Sequence, residues 1–132
     1  MLELNDMNPI TNNMSTGTAG EILVQLRLLE HGVQAAPPIK DSGNDLIAIR
    51  GNAFRAIQVK TTTGDTFRIN RLPNLFHILA VVQLIADEDR VLLDQSKIFL
   101  VPQNRIRGIG TQVEGLSDFA MTPELVNELF AE

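Results

Sequence analysis

Four polar side chains stand at spacings that could support chemistry in this chain of 132 residues: Glu21, Asp45, Gln58 and Lys60. Asp45 opens one short apolar run, and Gln58 and Lys60 close the next one. Burying an unpaired acid or lysine costs several kcal/mol, so polar groups at the ends of apolar strands indicate mutual pairing, a ligand or a metal ion. Carboxylate and amide oxygens bind Mg²⁺, and a neighbouring lysine can position or deprotonate water.

Two strand-like runs are expected to bring three of these side chains together. Residues 45–50 (DLIAIR) and 53–60 (AFRAIQVK) flank a Gly-Asn dipeptide, which predicts an antiparallel hairpin. Side chains alternate along a strand, so Gln58 and Lys60 share one face. The start of the first strand lies beside the end of the second, so Asp45 is expected next to both.

The remaining pattern predicts one α/β domain over 1–132, in which 1–16 forms a flexible or loosely packed N-terminal arm. A first helix is expected over 19–31, because Ile22, Gln25, Leu26, Leu29 and Val33 follow helical spacing. A mixed or mostly antiparallel sheet and a closing helix follow. Their segments are a strand in VQAAPP, a turn at KDSGN, the hairpin, strands in LFHILAVVQLIA (75–86), RVLL and SKIFLVP, and a helix announced by Thr122-Pro123-Glu124.

Composition excludes several kinds of site. There is no cysteine, and His31 and His77 have no partners at catalytic or zinc-binding spacing, so any metal should be hard and oxygen-bound. No apolar run approaches the ~20 residues that cross a bilayer. The N-terminus lacks the basic and apolar regions of a secretion signal, so the cytoplasm is the expected location.

The net charge of −5 is unevenly distributed. From residue 112 onward the chain has five acids and no base, which accounts for the whole of the net charge. Between residues 40 and 71, six bases face three acids, which gives a local surplus of three positive charges. Such a patch fits either an ordinary solvated surface or a nucleic-acid partner.

The order of the four polar residues resembles the PD-(D/E)xK nuclease superfamily, which includes many restriction enzymes and archaeal-type Holliday-junction resolvases. There, a helix with a Glu precedes a strand that opens with Asp and a hairpin partner that ends in acid-x-Lys. Glu21, Asp45 and the tripeptide 58–60 (QVK) take those places. The glutamine resembles the Q-x-K variant of certain intron-encoded homing endonucleases, as do GTAGEILVQLRLLEHG, DLIAI and AIQVKTT within residues 17–64.

This resemblance implies a restriction-endonuclease-like core, with an N-terminal helix, a mixed central sheet whose β-hairpin carries the site, and flanking helices. It further implies an endonuclease that hydrolyses DNA phosphodiester bonds with Mg²⁺ or Mn²⁺. Asp45 would be the principal metal ligand, with Gln58, the Val59 backbone carbonyl and Glu21, directly or through a water, and Lys60 would activate the attacking water. Nearby hydroxyl and basic side chains would contact DNA: Ser42, Arg55, Thr61, Thr62, Thr63, Arg68 and Arg71.

The expected partner is double-stranded or branched DNA. Six Phe with no Trp or Tyr offer little surface for stacking on unpaired bases. Because one small chain carries one site, cutting both strands predicts a homodimer or homotetramer. The apolar strand 75–86 and the terminal helix are the surfaces that could form the interface, unless the core uses them.

Each residue also has an ordinary structural explanation. Glu21 stands three residues after Thr18, as in a capping box, and Asp45 could form an Asx turn. Lys60 could extend from a strand end into water, and Gln58 could bond a neighbouring loop. The alternative functions are therefore a catalytically inactive module that binds DNA or a protein partner, and a purely structural α/β protein.

Overall fold

The structure is a computed structural model that describes residues 12–39, 45–87 and 90–132. Its helices are α1 (Asn12–Glu30), α2 (Pro123–Leu129) and the 3-10 helices Gln103–Gly108 and Val113–Phe119. Its strands are β1 (Gln34–Ala36), β2 (Leu46–Arg50), β3 (Ala53–Thr62), β4 (Ile78–Gln83), β5 (Ala86–Asp87), β6 (Arg90–Val91) and β7 (Lys97–Pro102). The predicted turn at 40–44 and residues 1–11 of the predicted arm lie outside the described residues, whereas residues 12–16 belong to α1.

Five strands form a mixed sheet in the order β1-β2-β3-β4-β7. β3 and β4 are parallel, and the other neighbouring pairs are antiparallel. The predicted hairpin is confirmed: Leu46 lies opposite Ile57, and Gly51 turns the chain with a φ of 59°, which a residue without a Cβ adopts easily. The central strand β4 is buried along Ile78–Val82, which explains the uninterrupted apolar run that predicted it.

Apolar side chains cover both faces of the sheet. On one face, Leu23, Val24 and Leu28 of α1 share a buried cluster with Val126 and Phe130 at the C-terminus. The other face is covered by the β3–β4 connection and the 3-10 helices, whose buried cluster contains Phe67, Ile109, Val113, Leu116 and Phe119. No element was predicted for these helices, because 3-10 helices of 6 and 7 residues are too short for a clear periodic signal.

The residues whose spacing predicted α1 lie mostly on its exposed side. Ile22, Leu26 and Leu29 are 58%, 45% and 59% exposed, whereas Val24 and Leu28 are fully buried. Apolar residues lie on two sides of this helix, so spacing alone does not decide which side meets the sheet. Gly20 decides it, because it allows α1 to approach β3 closely at Thr61.

The capping box assigned to Thr18 and Glu21 is also wrong. Helix α1 starts at Asn12, so Thr18 lies inside the helix rather than at its N-cap. A capping signature is local and does not stop the preceding residues from continuing a helix. Glu21 therefore projects from the middle of α1, and its position needs another explanation.

The terminal helix is confirmed, and it is fastened to the β2–β3 hairpin. The Thr122 hydroxyl accepts a hydrogen bond from the Leu125 N–H (3.1 Å), as expected of an N-cap. Arg55 on β3 donates to the carbonyls of Leu129 (2.8 Å) and Ala131 (2.7 Å). These bonds satisfy carbonyls at the helix end and hold α2 against the hairpin.

The close approach of α1 to β3 gives a test of the fold. A Cβ at residue 20 would overlap the Thr61 hydroxyl, so Gly20→Ala should lower the free energy of unfolding by about 1–3 kcal/mol. Gly17→Ala is the control in the same helix, because a Cβ there meets no atom within 4 Å. Urea unfolding should show a loss for the first variant and none for the second; equal effects would contradict the contact.

Candidate functional site

Asp45 lies where β2 begins, beside a longer strand that continues past it. Its N–H donates to the Ile57 carbonyl (3.1 Å), and its Oδ2 accepts the N–H of Val59 (2.8 Å). The carboxylate thus accepts the Val59 N–H bond that the backbone of a further β2 residue would otherwise accept. Its described partner lies across the hairpin and not in a local turn, so an Asx turn does not account for this bond.

The Val59 carbonyl is directed towards the same open edge. In a strand, the N–H and C=O of one residue point to the same side. Because the Val59 N–H meets Asp45, its carbonyl points past the start of β2 as well. A backbone oxygen therefore lies beside the carboxylate.

Glu21 is brought to this edge by α1. Its carboxyl group is within hydrogen-bonding reach of Asp45. Burial raises the pKa of Glu21 above its ordinary value, and the charge of Asp45 and the hydrogen bond with it raise the pKa further. The two carboxyl groups are thus crowded, and the fold favours the protonated form of Glu21.

Gln58 is buried, and its Oε1 has no hydrogen-bond partner among the described residues. The paired positions of the hairpin end at Leu46 opposite Ile57, and Asp45 bonds the backbones of Ile57 and Val59, the two neighbours of Gln58 in the chain. An unsatisfied buried polar atom costs about 1–3 kcal/mol. This oxygen therefore has no bond to a neighbouring loop among the described residues, and a ligand could satisfy it.

Lys60 follows Gln58 on the same face of β3. Its ammonium group donates to the backbone carbonyl of Asn70 (3.1 Å), in the connection between β3 and β4. No salt bridge joins it to Asp45 or Glu21 in the described structure. Lys60 is therefore oriented by the connection and not neutralised by the nearby acids.

The predicted DNA-contact residues divide into two groups. Three are engaged or enclosed within the fold: Arg55 binds the end of α2, the Thr62 hydroxyl bonds the Thr66 carbonyl, and the Thr61 hydroxyl is buried under α1. The exposed candidates are Thr63, Arg68 and Arg71, while Ser42 lies outside the described residues. The phosphate contacts of all seven stay predictions, and those of the exposed group require no rearrangement.

Sequence reasoning missed two contributors to the site. Gly20 sets the approach of the helix that carries Glu21, and a glycine within a helical pattern is a signal that could have been used. Asn70 contributes only its backbone carbonyl, for which no side-chain signal exists. His77 was expected within a strand but lies just before β4, where its Nδ1 accepts the Ala56 N–H (2.8 Å).

The donors at this edge are oxygen atoms of two carboxyl groups, one amide and one backbone carbonyl. No group of three His, Cys, Asp or Glu side chains suited to a metal occurs within the described ranges. A cation here would therefore depend on Gln58 and the Val59 carbonyl as well as on the acids. Such an all-oxygen set suits a hard ion such as Mg²⁺ or Mn²⁺.

Helix α1, the mixed sheet and the β2–β3 hairpin with its polar end together form a mixed α/β fold. The chain is similar in structure to a bacterial homing endonuclease, I-Ssp6803I, with a TM-score of 0.63 and 15% sequence identity over 92% of this chain and 94% of that one. This similarity confirms the expected fold. No protein-family model and no curated protein matches the chain.

No helix in the described ranges is long and apolar enough to cross a membrane.

The crowding of the two carboxyl groups predicts a pH-dependent stability. Because the folded state raises the Glu21 pKa, it binds more protons than the unfolded state, and stability falls as the pH rises above about 4.5. Glu21→Gln should therefore raise the melting temperature near pH 7, by ~1–3 °C, and should lose this advantage near pH 4.

The control for this prediction is Asp118→Asn. Asp118 is exposed and has no hydrogen-bond or ion-pair partner in the described part of the chain. Thermal melting from pH 4 to pH 8 compares both variants with the wild type. A Glu21→Gln advantage that does not depend on pH would show that ionisation of Glu21 is not the cause.

Proposed function

We propose that the protein is a metal-dependent endonuclease that hydrolyses phosphodiester bonds in DNA. The observation that carries the proposal is the buried Gln58 oxygen, which has no partner among the described residues, on the β3 segment whose backbone bonds Asp45, an acid within hydrogen-bonding reach of Glu21. This arrangement lies at the end of the hairpin in a fold similar to that of a homing endonuclease. The fold supplies the expectation of a nuclease, and the unpartnered oxygen supports a ligand at this edge.

A divalent cation, Mg²⁺ or Mn²⁺, is the proposed cofactor. Asp45, the Gln58 amide oxygen and the Val59 carbonyl would hold it, with Glu21 binding directly or through a water. When bound, such a cation supplies stabilisation of phosphate charge and activation of water. It would also satisfy the Gln58 oxygen and relieve the repulsion between the two carboxylates.

The side chains of the protein have distinct roles in this proposal. Glu21 would bind the cation directly or accept a hydrogen bond from a water that the cation holds. Lys60, held by the Asn70 carbonyl, positions the attacking water and stabilises the charge that develops on the phosphate. The exposed Thr63, Arg68 and Arg71 hold the DNA backbone on either side of the bond that is cut.

Cleavage of both strands of duplex or branched DNA calls for a homodimer or a homotetramer. The surfaces first considered for this contact are unavailable, because β4, Val126 and Phe130 are buried in the core. The exposed apolar side of α1 is the better surface for a second copy. Its groove is lined by Ile22, Gln25, Leu26, Leu29, Gln34 and Ala35, so two copies meet there without like-charge repulsion.

The proposal predicts that the protein nicks supercoiled plasmid or a branched DNA substrate in Mg²⁺ or Mn²⁺ and not in chelator. Asp45→Asn should abolish cleavage and metal binding by calorimetry, because the amide keeps an acceptor for Val59 but loses the charge. Lys60→Ala should bind DNA within a few-fold of wild type and lower the cleavage rate by a factor on the order of 100 or more, as expected when a group that activates the attacking water is lost.

Other outcomes would point elsewhere. DNA binding without any cleavage would favour the alternative, a catalytically inactive module, for which the neutral Gln58 is the supporting observation. Full cleavage by Asp45→Asn would remove this edge of the sheet from the chemistry. Absence of both DNA binding and cleavage would leave a protein whose polar cluster only pairs with itself.

Gln58→Glu tests the ligand assignment without DNA. In chelator, a third carboxyl group beside Asp45 and Glu21 should lower the melting temperature by several degrees. With Mg²⁺ the order should reverse, and the variant should bind the ion about 10-fold more tightly, equivalent to about 1.4 kcal/mol. Gln95→Glu, at an exposed position in the turn after β6, is the control. Equal Mg²⁺ responses of Gln58→Glu and wild type would exclude Gln58 as a ligand.

A further inference from the structure

Two long stretches outside the β2–β3 hairpin carry bases and no acid. They are residues 66–86, with Arg68 and Arg71, and residues 95–113, with Lys97, Arg105 and Arg107. The protein as a whole has a net charge of −5, whereas both of these stretches have a net positive charge. The second stretch was not recognised as a candidate site from the sequence.

The fold brings both stretches to one face of the sheet, opposite α1. Ile69 and Leu72 of the first stretch and Ile106 of the second pack against the same buried cluster. The Phe67 N–H donates to the Thr111 carbonyl (2.9 Å), which joins the two backbones directly. We call the arginines of this surface the basic layer: Arg68, Arg71, Arg105 and Arg107.

The guanidinium groups of the basic layer are available to a ligand. All four residues are exposed, and none forms a salt bridge within the described ranges. The Arg105 guanidinium lies over the Phe119 ring, 5.4 Å from its centre. Stacking on a ring orients an arginine and leaves its N–H groups free to bind phosphate.

The basic layer reaches the candidate site through the connection between β3 and β4. The Asn70 carbonyl that binds Lys60 lies between Arg68 and Arg71 in the chain. Arg71 has a φ of 59°, a left-handed conformation that is uncommon for a residue with a side chain. Such conformations persist where surrounding packing holds them, and they concentrate at functional segments.

Acids border the basic layer at one end. The Val113 N–H donates to the Asp65 carbonyl (2.8 Å), so Asp65 and Glu114 lie close together, and Asp118 follows on the same 3-10 helix as Glu114. These carboxylates repel phosphate. A polyanion on this face would therefore extend over the helix Gln103–Gly108 rather than over Val113–Phe119.

We propose that the basic layer binds the phosphate backbone of duplex DNA, with Arg105 and Arg107 as anchors beyond the cleavage site. The proposal rests on the proposed function for its choice of duplex DNA. Exposed arginines that neutralise phosphates supply sequence-independent affinity by releasing counterions. They would hold the duplex while Lys60 and the acids act on one phosphate.

The test measures DNA binding in chelator, so that no cleavage occurs. Fluorescence anisotropy with a short labelled duplex gives the affinity between about 50 and 200 mM salt. Arg107→Gln should weaken binding several-fold and lower the slope of log affinity against log salt by about 0.9, the value for one phosphate. Arg105→Gln with Arg107→Gln should lower the slope by about twice as much.

Two controls keep the result interpretable. Arg90→Gln removes the same charge from the β5–β6 hairpin, among the acids Asp87 and Asp94, and should leave the slope unchanged. Arg107 has no hydrogen bond or ion pair in the described structure, so Arg107→Gln should melt like wild type even if loss of the Arg105–Phe119 contact weakens the double variant.

The proposal would be overturned if both variants kept the affinity and the salt slope of the wild type. It would also be overturned if the wild type did not bind duplex DNA, even if it bound an acidic protein instead. The two proposals fail separately. If wild type nicks plasmid while the variants bind normally, the basic layer is wrong and the nuclease stands. If wild type never cuts but the variants lose binding, the nuclease is wrong and the basic layer stands.

Discussion

The hydrogen bond from the Val59 N–H to Asp45 Oδ2 is the interaction on which the candidate site depends. β3 is twice as long as β2, with 10 residues against 5, so part of its edge has no strand beside it. A carboxylate that caps this edge satisfies a backbone N–H and at the same time fixes its own position. The other oxygens of the site then follow from the register of the hairpin and from the approach of α1.

The site combines two destabilising features that are unusual on an ordinary protein surface. The charge of Asp45 helps to raise the pKa of Glu21, and the buried Gln58 oxygen lacks a partner in the described structure. Both features destabilise the empty protein, and both would be relieved by one cation. Local instability of this kind is common where a fold is prepared for a ligand.

Much of this arrangement follows from local sequence signals. The Gly-Asn turn and the alternation of residues 45–60 define the hairpin, and the hairpin brings Asp45 beside Ile57 and Val59, the chain neighbours of Gln58. The buried face of α1 could not be predicted in the same way, because Ile22 and Val24 both belong to plausible apolar stripes. The choice between them depends on the packing of Gly20 against Thr61, a contact between residues distant in sequence. The bond between Lys60 and a backbone carbonyl is beyond any residue pattern for the same reason.

The parallel pairing of β3 with β4 has a consequence for the order in which the protein folds. The β2–β3 hairpin closes over a two-residue turn, and hairpins of this kind form in about 1–10 μs. Pairing of β3 with β4 must first close the long connection through residues 63–77, and contacts distant in sequence form more slowly. The nascent hairpin therefore exists for a time with Asp45 already at its edge and without the sheet that completes it. During synthesis, the hairpin can form before β4 has left the ribosome, so the core of the site is the earliest structured part of the sheet and its surroundings are added afterwards.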